Sequence, residues 1–209
     1  MHTTKKNTLL IIGALILIGV AALAYYQFVM KANDLSSITK ETVENTTVGI
    51  TFSYPSSEDG FALVEPPLGD TGLLAAYVLI PSKEYDDYKA STEGREAPAS
   101  MSVLVYELDT ATSSMTASGS ERIDRVTRLQ NWAIDNDILT SYTQAKATPD
   151  IIEIDGVKAL HYQADGLYQQ DIYLVSYKNR AYMLVGQYNA QSDMTYTAFQ
   201  ELIGTVNFN

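Results

Sequence analysis

The chain has 209 residues, 46% of them hydrophobic and 19% charged, with 25 acidic against 14 basic side chains and no cysteine. Burial of so many hydrophobic side chains offsets the conformational entropy lost on folding, which excludes a disordered chain. The lack of cysteine excludes disulfide scaffolds and zinc sites with thiolate ligands. The formal charge of -11 excludes nucleic acid as a partner, because binding it requires Lys and Arg side chains against phosphates.

The most informative stretch is near the N-terminus, where Thr8 to Met30 carry no formal charge. As a helix this segment is long enough to cross a hydrocarbon core of about 30 Å. Lys5 and Lys6 precede it, and the positive-inside rule then places residues 1–7 in the cytoplasm. We therefore predict a single-pass transmembrane helix over residues 8–30 that contacts the lipid bilayer of the cell membrane and leaves the C-terminal domain extracytoplasmic.

A cleaved signal peptide is the alternative for the same stretch. Lys5 and Lys6 would form its basic region, Leu9 to Ala21 its apolar region, and Ala22-Leu23-Ala24 its cleavage site. The apolar run continues beyond Ala24 through residues 25–30, which is longer than a signal peptide needs. This favours the anchor, and determination of the mature N-terminus separates the two.

Residues 31–46 are polar and without strong periodicity, and we interpret them as a linker that precedes a domain over residues 47–209. From Lys31 onward, 12 basic residues stand against all 25 acidic ones, a formal charge of -13. An acidic exterior of this kind favours solubility.

The first half of this domain has the pattern of strands. Val48, Ile50, Phe52 and Tyr54 alternate with polar or small residues before Pro55, which is typical of a half-buried strand. Three further predicted strands are Phe61 to Val64, Leu73 to Ile80 and Met101 to Leu108, and Ser82 to Ala90 is predicted to be a short helix or a turn.

The second half combines helices and hairpins. Ile123, Val126, Leu129 and Ala133 recur at helical spacing, which predicts a helix capped by Ser120 that ends near residue 135. Two hairpins are predicted, residues 151–154 with 157–164 around Asp155-Gly156 and residues 170–177 with 180–188 around Lys178-Asn179. The remaining predicted elements are a helix over residues 194–203 with Asp193 as its cap and a strand over 206–208 that closes the sheet.

Four short segments distributed over the domain share one family's pattern. They are Gly49 to Pro55 (GITFSYP), Ile154 to Ala159 (IDGVKA), Lys178 to Leu184 (KNRAYML) and Phe199 to Phe208. Together with the order of elements, they make the domain resemble the PsbP-like superfamily of extracytoplasmic α/β/α sandwiches. The resemblance implies an α+β fold with a central, mainly antiparallel sheet and helices on both faces. It also implies a binding or scaffolding module and transfers no catalytic residue.

The sequence offers few groups for catalysis. Its only histidines are His2, in the predicted cytoplasmic tail, and His161, which we interpret as a partly exposed histidine within a strand. Neither a phosphate-binding glycine loop nor a two-histidine metalloprotease helix occurs. We therefore predict a protein that is not an enzyme and has no cofactor.

Tyrosines of the second hairpin are the candidate ligand-binding residues. Tyr173 and Tyr177 share one face of their strand by parity, and Tyr182 and Tyr188 share one face of the next. Aromatic faces on a sheet can stack sugars or contact a partner. Packing within the core is the alternative interpretation, because tyrosine is also a favoured strand residue.

Asp135 and Asp137 are the candidate metal ligands, since calcium prefers carboxylate oxygens. The segment lacks the glycine and the distal glutamate of a calcium loop, and a solvated turn at a helix end is the alternative.

From these observations we expect a membrane-anchored extracytoplasmic protein with a non-catalytic binding or scaffolding domain and an envelope protein as its partner. The alternative function is the binding of a small ligand or glycan through the tyrosine-bearing sheet.

Overall fold

The computed structural model of the chain describes residues 38–69, 72–91, 94, 96–108 and 124–209. The predicted cytoplasmic tail, the predicted transmembrane helix over residues 8–30 and the first part of the predicted linker lie outside this set. Among the residues that the structure describes, no helix has the length and apolar character needed to cross a membrane.

Strands dominate the described residues. They are β1 (Lys40–Asn45), β2 (Ile50–Pro55), β3 (Phe61–Val64), β4 (Leu73–Pro81), β5 (Met101–Glu107), β6 (Asp150–Ile154), β7 (Val157–Asp165), β8 (Gln169–Tyr177), β9 (Arg180–Tyr188) and β10 (Asn207–Phe208). The α-helices are α1 (Ser82–Ala90), α2 (Arg125–Asp135), α3 (Asp137–Thr140) and α4 (Met194–Ile203), and residues Tyr142–Gln144 form one 3-10 turn.

Seven strands form one large sheet in the order β3-β4-β5-β9-β8-β7-β6, and every neighbouring pair is antiparallel. Both predicted hairpins are confirmed. Their two-residue turns, Asp155-Gly156 and Lys178-Asn179, have positive φ at both positions, which gives the twist that suits a tight hairpin. The mixed α/β fold with a large antiparallel sheet is therefore confirmed.

A second, smaller sheet has the order β1-β2-β10 and corrects two predictions. Residues 40–45, assigned to the linker from the sequence, pair with β2 from Lys40 opposite Pro55 to Asn45 opposite Ile50. This strand is polar and mostly exposed, so it lacks the apolar alternation that identifies a strand. The C-terminal strand also pairs with β2 instead of extending the large sheet.

Helices lie on both faces of the large sheet. Helix α2 packs on β7 and β8, where Leu129 and Trp132 join a core with Leu160, Leu174 and Met183. This helix begins at Arg125 with Asp124 as its N-cap residue, which corrects the predicted cap at Ser120, a position outside the described residues. Helix α4 contacts β9 and β2 on the opposite face, so this face is covered by a helix and the small sheet together.

Asp193, the predicted cap of α4, does not make the expected hydrogen bond to the first turn of the helix. Asp193 is the N-cap residue, but its side chain makes no capping bond to the helix. Its Oδ2 instead accepts hydrogen bonds from the backbone N–H groups of Asn189 and Ala190, at 2.9 and 3.0 Å. The carboxylate thus holds the turn between β9 and α4.

Candidate functional site

The two tyrosines of each strand share a face, as parity predicts, and the register places both pairs on the same face of the large sheet. Helix α4 and the small sheet cover that face. Tyr173, Tyr182 and Tyr188 are buried. The Tyr182 hydroxyl donates to the backbone carbonyl of Val48 at 2.7 Å, which ties β9 to the start of the small sheet. The rings are therefore part of the packing between two layers.

The contacts of Tyr173 and Tyr177 lead to the same conclusion. Tyr173 packs against Phe199 of α4, with ring centroids 5.7 Å apart. Tyr177 is half-buried and packs against Phe208 of β10, also at 5.7 Å. A ligand would have to displace α4 or β10 to reach most of this aromatic surface. The expectation of an open tyrosine platform is thus corrected in favour of the packing alternative.

Burial also changes the acidity of these phenols. Burial, followed by the charge of Asp171, raises the pKa of Tyr173 to about 12. Burial, followed by the charge of Asp171, raises the pKa of Tyr188 to about 12. Both side chains are therefore neutral hydrogen-bonding groups at physiological pH, and neither is activated as a base.

The most developed polar arrangement of the described residues links β7, β8 and α4. His161 Nε2 lies 2.6 Å from Asp171 Oδ1, and Gln200 Nε2 donates to Asp171 Oδ2 at 2.8 Å. The Asp171 side chain is buried, whereas 25% of the His161 side chain is exposed. The prediction of a partly exposed strand histidine is confirmed.

Sequence reasoning missed Asp171, although the hairpin register contains the signal. His161 pairs with Tyr173 across β7 and β8, and this places Asp171 diagonally across the ladder. The signal in the sequence is an acidic residue immediately before the apolar run Ile172 to Val175. A carboxylate that is buried with such a run requires hydrogen-bonding partners.

A histidine held by a buried carboxylate resembles the orienting half of a catalytic triad. That chemistry also needs a nucleophile within hydrogen-bond reach of the imidazole. Here the ring stacks on Tyr173, with centroids 4.4 Å apart and an interplanar angle of 15°. In the described part of the chain, no serine, threonine or water-activating group is hydrogen-bonded to His161. The arrangement therefore joins three elements of the fold, β7, β8 and α4.

The two candidate metal ligands, Asp135 and Asp137, have different surroundings. Asp137 Oδ1 accepts the backbone N–H of Thr143 at 2.7 Å, and Oδ2 accepts its hydroxyl at 2.6 Å. These hydrogen bonds hold the pKa of Asp137 below its ordinary value. Asp135 is exposed at the end of α2, and no group of three or more possible ligand side chains occurs among residues 38–69, 72–91, 94, 96–108 and 124–209. The solvated-turn alternative describes this segment.

One polar cavity was not foreseen from the sequence. It has a volume of about 330 Å³ and lies between the start of α2 and the turn that joins β8 to β9. Its lining consists of Arg125, Arg128, Ser176, Lys178 and Asn179. No local motif marks it, because the two contributing segments are about fifty residues apart in the chain.

Comparison with solved structures identifies the fold. The chain is similar to the solution structure of cyanobacterial PsbP from Synechocystis sp. PCC 6803, with a TM-score of 0.50 and 13% sequence identity, over 82% of this chain and 93% of that one. A crystal structure from Bacteroides thetaiotaomicron VPI-5482 is similar over 82% of this chain and 48% of that one, with a TM-score of 0.41 and 8% identity. No protein-family model matches the sequence, and no curated protein is significantly similar to it. The chain therefore has a PsbP-like fold, as the resemblance implied.

Proposed function

We propose that this protein is a single-pass, membrane-anchored extracytoplasmic protein whose PsbP-like domain binds or scaffolds another envelope protein without catalysis. The observation that carries the proposal is that the side chains with catalytic potential, His161 and Asp171, make contacts within the fold. His161 stacks on Tyr173, and Asp171 is bonded to His161 and Gln200. A domain whose histidine and buried carboxylate take part in internal packing is better suited to binding a partner than to catalysing a reaction.

The location is proposed from the charge pattern of the N-terminal segment. Residues 8–30 carry no formal charge and follow Lys5 and Lys6. In a bilayer this distribution favours a cytoplasmic N-terminus and an exterior C-terminal domain.

An exposed apolar surface at the end of α2 supports a protein partner. Ile138 on α3 is 99% exposed, and Ile134 and Leu139 beside it in the chain are also exposed. One exposed apolar side chain is ordinary, but three within six residues are typical of a contact region. We propose that this segment meets an apolar surface of the partner protein.

The test is site-specific photo-crosslinking in intact cells. A photoreactive residue replaces Ile138 in the full chain, and a matched variant carries it at Glu58, which is exposed in the turn between β2 and β3. We expect one envelope protein to be crosslinked from position 138 and not from position 58. Identical products from both positions, or none from position 138, would contradict the proposal.

The glycan-binding alternative has no observation in its favour. It needs Tyr173, Tyr182 and Tyr188 at a surface, and these rings lie beneath other layers.

A further inference from the structure

The polar cavity beside α2 concentrates positive charge in an otherwise acidic domain. Arg125 and Arg128 lie one turn apart on α2, and Lys178 of the β8–β9 turn is the third basic residue of the lining. From Lys31 onward the chain has a formal charge of -13. Three cations in one cavity therefore reverse the local sign of the charge and favour an anion there.

The cavity cations have no acidic partner within the described residues. The ion pairs found there use lysines 40, 83, 89 and 146 and His161. Lys178 instead lies over the ring of Tyr177, with Nζ 5.2 Å from the centroid. Asp124 is next to Arg125 in the chain but forms no ion pair in this part of the structure. The charges repel one another, and an anion bound between them would remove that repulsion.

One buried group lining the cavity has unused hydrogen-bonding capacity. Arg128 Nε is buried and has no partner. Buried polar atoms are nearly always hydrogen-bonded, so this exception needs an explanation. An acceptor in the cavity would satisfy the Arg128 Nε–H group, and Ser176, which carries a hydroxyl group, also lines the cavity.

The start of α2 adds to this donor set. The helix has 11 residues, and its N-cap residue Asp124 makes no side-chain capping bond. Its first N–H groups and its dipole favour negative charge beside this turn. An anion beside this turn would interact favourably with both.

We propose that this cavity binds a phosphate group, either as inorganic phosphate or as a small phosphomonoester. Guanidinium groups form forked, charge-assisted hydrogen bonds with phosphate oxygens. Three cations, a hydroxyl and the Asn179 amide match the charge and the several acceptor oxygens of a phosphate better than those of a single carboxylate. This inference is independent of the membrane anchor and of the protein partner.

Calorimetric titration of the full-length chain in detergent tests the proposal with three probes. These are inorganic phosphate, glycerol 3-phosphate and acetate. We expect saturable binding of at least one phosphate probe and binding of acetate at least about tenfold weaker. Tighter binding of glycerol 3-phosphate than of inorganic phosphate assigns the site to a phosphomonoester, and the reverse order assigns it to free phosphate. Absence of binding by both at millimolar concentration, or equal binding of acetate, overturns the proposal.

Variants locate the binding. We expect Arg128→Gln to weaken phosphate binding by about tenfold or more, since a hydrogen bond to a charged group is lost. Lys178→Gln, on an exposed turn, tests the same cavity from its second segment. The matched control is Lys89→Gln, which removes one positive charge from α1, a helix that packs on β3 and β4. Undiminished binding in both cavity variants, or equal weakening in the control, overturns the assignment.

Discussion

The ring of Phe199 lies directly against Gly186, so that α4 approaches β9 where the strand has no side chain. A β-carbon at position 186 would overlap three atoms of the ring. This close approach places α4 over Tyr173, whose ring packs against Phe199 from the neighbouring strand. The contact between these two residues therefore explains why the tyrosine-bearing face is a core.

Substitution of Gly186 by alanine tests this contact. We expect Gly186→Ala to lower the free energy of unfolding by about 1–3 kcal/mol, because the added methyl group overpacks a filled interface. Urea unfolding of the full chain measures the change. Gly69→Ala is the matched control, since nothing lies within 4 Å of a β-carbon there. Equal stability of the two variants would contradict the proposed packing.

Removal of the buried carboxylate tests the network of β7, β8 and α4. We expect Asp171→Ala to lower the free energy of unfolding by about 2–3 kcal/mol, because His161 and the Gln200 amide lose their acceptor in a largely buried place. Asp150→Ala, on the exposed edge strand β6, is the control and should change stability little. A loss in Asp171→Ala no larger than in this control would show that the network does not stabilise the fold.

Local patterns predicted most of the strands because their apolar residues alternate or form short bounded runs. Strands β3 and β9 begin and end as predicted, and both hairpins form around the predicted turn residues. Strand β1 was missed because its side chains are polar, and its place depends on pairing with β2. Strand pairing of this kind depends on two segments of the chain, so the residue pattern of one segment cannot predict it.

The candidate site was harder to predict for the same reason. Parity correctly placed Tyr173 and Tyr177 on one face of a strand, but parity cannot say which layer covers that face. The cover comes from α4 and β10, which follow later in the chain. The cavity with Arg128 and Ser176 likewise arises only when α2 packs on β8.

Alkaline pH should destabilise the domain through its buried phenols. The pKa values of Tyr173 and Tyr188 are about 12 in the folded chain, against an ordinary value of 10.0. Between about pH 10 and pH 12 the unfolded chain therefore releases protons that the folded chain retains, so the free energy of unfolding falls as the pH rises. Below pH 10 these groups contribute no pH dependence.

Urea unfolding at several alkaline pH values measures this slope. We expect Tyr173→Phe and Tyr188→Phe each to flatten it, because phenylalanine cannot ionise. An unchanged slope in the double variant would mean that other groups cause the alkaline destabilisation.

Calcium should leave the melting temperature of the protein unchanged. Both carboxylate oxygens of Asp137 accept hydrogen bonds from Thr143, and exposed Asp135 brings no third ligand among the described residues. A bound ion would raise the melting temperature through mass action. A calcium-dependent rise that is lost in Asp135→Asn would contradict this expectation and restore the metal site.

The topology of the full chain tests the central claim most directly. The chain is expressed with a C-terminal tag, cells are fractionated, the N-terminus is determined, and protease is added from outside. We predict an intact N-terminus in the membrane fraction and a C-terminal domain that external protease digests. Cleavage after Ala24 with release of the domain, or a domain that is protected until the membrane is opened, would contradict a membrane-anchored extracytoplasmic binding protein.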